Sequence, residues 1–195
     1  MTEAQTTEAL GLTPSQTSGP YLSIGLLRNF ITGSVVPDDD PRAIRIRGCL
    51  LDGAGEPVPD GMVEIWQANA TGRYAHPADT RDEIPLEDGF LGFGRSGTVD
   101  EGRFEFVTVK PGRVPAADGR LQAPHLVVGV FARGLLKRLA TRLYFPDEEE
   151  ANAADPLLSE LGEAERATLI ARAEDDGLRF DIHLQGEGQT AFFLV

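Results

Sequence analysis

The chain has 195 residues, a formal net charge of −13, 41% apolar and 25% charged residues, and one cysteine. That length can bury one sizeable core, while the acidity repels the phosphates of nucleic acid and of an anionic membrane surface. The lone Cys49 excludes an intrachain disulfide and suits a reducing compartment.

The opening stretch MTEAQTTEALGL lacks the basic and apolar regions of a signal peptide. No run approaches the roughly 18 apolar residues of a membrane span, so a cytoplasmic location is expected. Residues 1–20 are polar and turn-rich. TPSQTSGPY, with its two prolines, suits neither a regular helix nor a central strand. It reads as an extended arm that needs a surface to lie on. YLSIGLLRNF returns to apolar residues, and VVPDDDP reads as a solvated loop.

From Ala43 the pattern becomes alternation broken by turns. AIRIRGCLLD, MVEIWQAN, GRFEFVTVK, HLVVGVFA, TRLYF, RFDIHLQ and TAFFLV each read as a strand. GRSGT reads as a loop and is not the frame of a nucleophilic serine, and GFLGFGRSG has no helix pattern and no Lys-Ser/Thr after it, so it is no phosphate cradle. SELGEAERATLIARAE reads as one helix of about three turns with Ser159 at its N-cap. With 22 glycines and 13 prolines among short strands, an all-β, two-sheet β-sandwich with one short helix is expected. It would form a single domain over residues 21–195, behind an arm at 1–20.

Three histidines and one cysteine carry the candidate chemistry. In QAPHLVV, His125 opens a strand and shares its face with Val127, where a second histidine would aim two imidazoles at one ion. An ordinary core histidine and the remnant of a metal site both fit that stretch. His76, in RYAHPAD, reads as solvated, and His183, alternating with Ile182 and Leu184, faces solvent or a partner. The chain contains no His-x-His, no HExxH and no CxxC. Cys49, between Gly48 and Leu50 in a strand, reads as a structural thiol.

Five stretches taken together, TPSQTSGPY, PDGMVEIWQANATGRY, GFGRSGTVDEGRFEFVTVKPG, APHLVVGVFARGLLKRLATRLYF and DIHLQGEGQTAFF, resemble the intradiol ring-cleavage dioxygenases over about residues 13–195. The resemblance implies a β-sandwich and an enzyme of two similar subunits, alpha and beta. The beta subunit would hold one Fe(3+) through two tyrosines and two histidines, a donor set suited to a hard trivalent ion. The substrates implied are O2 and a small aromatic, 3,4-dihydroxybenzoate, opened to 3-carboxy-cis,cis-muconate in aromatic catabolism.

The four ligand positions fall on Tyr74, Val114, His125 and Val127. Two are aliphatic, so the resemblance implies an alpha-type chain with a degenerate site, no metal and no catalytic residue of its own. Tyr74 and His125 are expected to pack there and to share a hydrogen bond. TSGPY matches an arm that walls the partner's substrate cavity, which nominates Thr17, Gly19, Pro20 and Tyr21. Arg133, in FARG, matches an arginine associated with substrate binding. It lies eight residues beyond His125, about 26 Å along a straight strand, and so would serve the partner's site instead of the degenerate one. Two other readings remain open: a free-standing homo-oligomer holding iron through Tyr74, His125 and His76, and a non-catalytic binding or scaffold protein on the same fold.

Overall fold

The computed structural model describes residues 19, 21–27 and 33–194. β1 (Ile44–Leu51), whose first half alternates, is the centre of the first sheet. Ile46, Gly48 and Leu50 face inward, while Arg45 and Arg47 face out and share Glu105. β1 pairs antiparallel with β4 (Arg103–Thr108), whose Phe104 and Phe106 join the core. Its other edge pairs in parallel with β8 (Gly177–Arg179) and then β9 (Ile182–His183); β7 (Arg172–Glu174) closes that side.

The second sheet has the order β3-β2-β5-β6, all antiparallel. Its strands are β2 (Met62–Trp66), β3 (Phe93–Gly97), β5 (His125–Phe131) and β6 (Leu139–Tyr144). Val63, Ile65, Leu126, Val128, Val130 and Leu143 point inward and meet Ile46, Leu50, Phe104 and Phe106 to form the main core. The result is the expected sandwich.

Gly48 marks how closely the first sheet is built. A Cβ there would lie 1.9 Å from the Phe180 carbonyl oxygen and 2.3 Å from the Phe104 ring, so only glycine fits. Cys49 is buried, with its Sγ 3.4 Å from the Glu101 carbonyl. Burial pushes its thiol pKa up, which leaves it a structural residue.

Four expectations are corrected. GRSGT is not a loop, since its first four residues lie in β3. Its glycines permit close approach: a Cβ on Gly94 would meet Val35 at 2.9 Å, and one on Gly97 would meet Leu27 at 2.7 Å. RFDIHLQ is not one strand. It is split between β8 and β9 because the Asp181 carboxylate takes the place of a ladder carbonyl, accepting the Cys49 N–H at 2.9 Å. TAFFLV contributes only a bridge from Phe193 to Ala140 among the described residues.

The three-turn helix is also absent. A 3-10 turn at Leu158–Glu160 is followed by extended backbone at Leu161 and Gly162, then by the short α2 (Glu163–Ala167). Ser159 is not a cap, since its hydroxyl donates to the Pro156 carbonyl. The cap lies at Gly162, whose N–H is taken by the Glu165 carboxylate. Leu158 and Leu169 bury completely beside Tyr144, and Ala171 donates its N–H to the Tyr144 carbonyl. That burial overrides the helix propensity of the segment. A second short helix, α1 (Glu149–Ala153), precedes it. Among the described residues no helix is long and apolar enough to cross a membrane.

Candidate functional site

The chemistry collects on the outer face of the second sheet. Leu126 and Val128 take the inner face of β5, so His125 and Val127 take the outer one. Register then sets their neighbours: Trp66 and Arg142 flank Val127, and Tyr144 lies opposite His125.

His125 is 4% exposed, its ring centre 5.6 Å from that of Tyr144. Its Nδ1 lies 2.8 Å from the Ala123 carbonyl. That oxygen only accepts, so Nδ1 carries the proton. Burial, reinforced by the Arg142 charge, lowers the His125 pKa to about 4, leaving a neutral imidazole at ordinary pH.

Behind it lies a polar network. Arg142 Nη1 donates to Gln122 Oε1 at 2.7 Å and to the Tyr144 hydroxyl at 3.1 Å. Tyr144 in turn donates to Asp155 at 3.2 Å, and burial pushes its phenol pKa up. The buried Asp155 carboxylate also accepts the backbone N–H groups of Ala123, Leu157 and Leu158. It thereby pins the α1–α2 segment to the mouth of β5.

Tyr74 arrives on the loop after β2. The Asn69 side chain folds that loop by accepting the N–H groups of Thr71 and Arg73. Gly72 turns it at φ 86°, where a side chain would strike the Arg113 carbonyl. The Tyr74 ring stacks on Trp66 at 5.9 Å, and its N–H donates to Asp79. Burial raises the Tyr74 pKa. Arg81 hydrogen-bonds Asp79 and holds that carboxyl well below the usual carboxylate range. Trp66, Tyr74, His76, Asp79, Arg81 and the buried Val114 line an open cavity of about 350 Å³.

The structure therefore brings Tyr74 and Val114 to one cavity, with Val127, His125 and Arg142 on the sheet beside Trp66. The expected Tyr74–His125 hydrogen bond is not formed: His125 spends its Nδ1–H on Ala123, and Tyr74 is held by stacking. His76 is exposed, as its polar loop suggests, but its ring stands edge-on to Trp66. His183 is half-buried in β9. Among the described residues no group of three or more His, Cys, Asp and Glu is placed to hold a metal ion.

Gly19 and Tyr21 are exposed, and Thr17 and Pro20 are outside the described residues, as is most of the arm. Arg133, two residues past the end of β5, is 82% exposed and pairs with Asp60 at 3.0 Å.

Arg142 escaped the sequence reading. The usable signal was TRLYF itself, where an arginine and a tyrosine two residues apart share one face of a strand.

A family profile described as Dioxygenase matches residues 28–186. The chain is 43% identical to the protocatechuate 3,4-dioxygenase alpha chain of Pseudomonas putida, over 95% of this chain and 98% of that one. This chain belongs to the intradiol ring-cleavage dioxygenase family. Another intradiol relative, the protocatechuate 3,4-dioxygenase beta chain of Burkholderia cepacia, is 38% identical over 86% of this chain and 75% of its own length. Among solved structures, the dioxygenase domain of a dioxygenase–carbohydrate-binding protein fusion from Streptomyces sp. SirexAA-E superposes with a TM-score of 0.58. It has 27% identity, over 89% of this chain and 98% of that one.

Intradiol enzymes use ferric iron, and the four positions at which the resemblance expects its ligands do not fit that ion here. Tyr74 and His125 offer one oxygen and one nitrogen. Val114 and Val127 offer nothing, and the guanidinium of Arg142 adds a positive charge to the same ground. A trivalent cation so poorly compensated is costly to bury.

Proposed function

We propose that this chain is the alpha-type subunit of a protocatechuate 3,4-dioxygenase. The assembled enzyme adds both atoms of O2 to 3,4-dihydroxybenzoate, breaks the ring between the two hydroxyl-bearing carbons and releases 3-carboxy-cis,cis-muconate. A beta-type partner holds the Fe(3+), and this chain supplies part of the substrate cavity from residues away from its own degenerate site. The observation that carries this reading is the pair Val114 and Val127, with Arg142 opposite Val127, in a chain so similar to an alpha chain.

In this reading the domain at 21–195 carries the arm at 1–20 onto the partner, where Thr17, Gly19, Pro20 and Tyr21 wall the cavity. Arg133 meets the substrate carboxylate. A protein of net charge −13 needs such a local cation to admit a benzoate, and arginine stays charged and forks onto carboxylate oxygens. The enzyme works in the cytoplasm, which suits the reduced state of Cys49.

The test is expression of the chain alone and together with a beta-type chain. Alone it should carry no stoichiometric iron and cleave no 3,4-dihydroxybenzoate; together the two should copurify and turn it over. Iron near one per chain, with tyrosinate-to-iron absorption in the chain alone, would overturn the reading.

A further inference from the structure

We propose that Arg142 is the resident cation of the degenerate site, and that its guanidinium bars a metal ion even where the two missing ligands are restored. Directly opposed residues of antiparallel strands hold their Cβ atoms about 5 Å apart, so Arg142 rises beside Val127, one of the four ligand positions. Its Nη1 is fixed from two sides, at 2.7 Å by Gln122 and at 3.1 Å by Tyr144. The Tyr144 ring packs on His125, a second ligand position. The cation thus stands among the groups that would face an ion.

Two further features mark this as a built arrangement. Among the described residues the side-chain partners of Arg142 are Gln122 and Tyr144, not a carboxylate. The nearest structured acid in its network, Asp155, is reached only through the Tyr144 hydroxyl. The described partners of this half-buried arginine are neutral oxygens, Gln122 Oε1 and the Tyr144 hydroxyl, and these take a hydrogen-bond donor in place of a metal. Arginine also cannot shed its proton to admit a second cation, and like charges at short range repel more strongly away from bulk water. Restoring donors at 114 and 127 would therefore leave a fixed positive charge inside the new coordination shell.

This deepens the reading that the chain carries no metal of its own, and the two fail separately. Iron in the unsubstituted chain tests that reading; the comparison of substituted chains tests Arg142. The experiment uses the full chain with Val114→Tyr and Val127→His, with and without Arg142→Ala, exposed to ferrous iron in air. Iron is measured against unsubstituted protein prepared in the same way. The chain that also lacks Arg142 should hold at least ten-fold more iron and show the visible tyrosinate-to-iron band. Equal iron in the two, including none in either, overturns the proposal.

A second measurement removes the dependence on the new ligands. Arg142→Ala alone should lower the melting temperature, and ethylguanidinium should recover part of the loss where equal tetramethylammonium does not. An unchanged melting temperature, or equal recovery by both ions, counts against a structural cation at this position.

Discussion

Acidification should destabilise this protein in a window set by His125. The imidazole is buried and neutral, with a pKa lowered from 6.5 to about 4 by burial first and by the Arg142 charge second. The Ala123 carbonyl and Asp155 act in the opposite sense. In the unfolded chain the same group takes up a proton near pH 6.5, so between pH 6.5 and 4 the unfolded state binds more protons. Stability then falls as pH falls. At 1.36 kcal/mol per pH unit the interval amounts to about 3 kcal/mol, a large part of the 5–15 kcal/mol typical of a domain. Carboxylates titrate over the same range, so the measurement is a difference. His125→Asn keeps a donor near the Nδ1 position, able to reach the Ala123 carbonyl, and removes the titration. Urea unfolding of both proteins from pH 7 to pH 4 should show the stability of the original chain dropping by about 3 kcal/mol relative to the variant. Parallel stability curves would refute the account, and would mean that His125 gains solvent or a counter-charge when protonated.

Gly48→Ala should cost about 3 kcal/mol or more, since overpacking against a strand backbone finds no room to relax; thermal melts measure it, and a near-native melting temperature would show that β1 can shift from Phe180. Arg133→Ala in the assembled enzyme should lower kcat/KM for 3,4-dihydroxybenzoate about 10- to 100-fold, the worth of a charge-assisted hydrogen bond. Catechol, lacking the carboxylate, should lose much less, and equal losses for both substrates would assign Arg133 a structural role. Deleting residues 1–20 should leave the sandwich folded by circular dichroism but weaken copurification with the partner or its turnover; normal assembly and rate would make the arm a tail.

The parts of this fold that were legible in the sequence are those where one face of a strand is apolar and the other is not. β1 announced itself through Ile46 and Leu50 against Arg45 and Arg47, and β5 through its apolar run. β3 was hidden because Gly94 and Gly97 are demanded by neighbours distant in sequence, Val35 and Leu27, and a glycine required for contact looks like a glycine required for a turn. The broken helix failed for a related reason: Leu158 and Leu169 answer to Tyr144, which no local pattern reveals. At the site, the resemblance nominated Tyr74, Val114, His125 and Val127, because ligand positions can be matched one by one. Arg142 matches no ligand and is visible only once β5 and β6 are set in register.

The parallel edge of β1 has a consequence for synthesis. Cys49 waits for Asp181, 132 residues later, so while the chain is being made, the Arg47–Leu51 edge has no partner. At roughly 5–20 residues per second, that exposure lasts on the order of 10 s. An open strand edge invites pairing with a neighbouring nascent chain. The like charges of Arg45 and Arg47 on each exposed edge, and the excess of acidic residues along every copy, oppose such encounters until the C-terminal strands emerge. The first sheet is thus completed only when β8 and β9 emerge, and a chain cut short near residue 170 would keep that edge of β1 open.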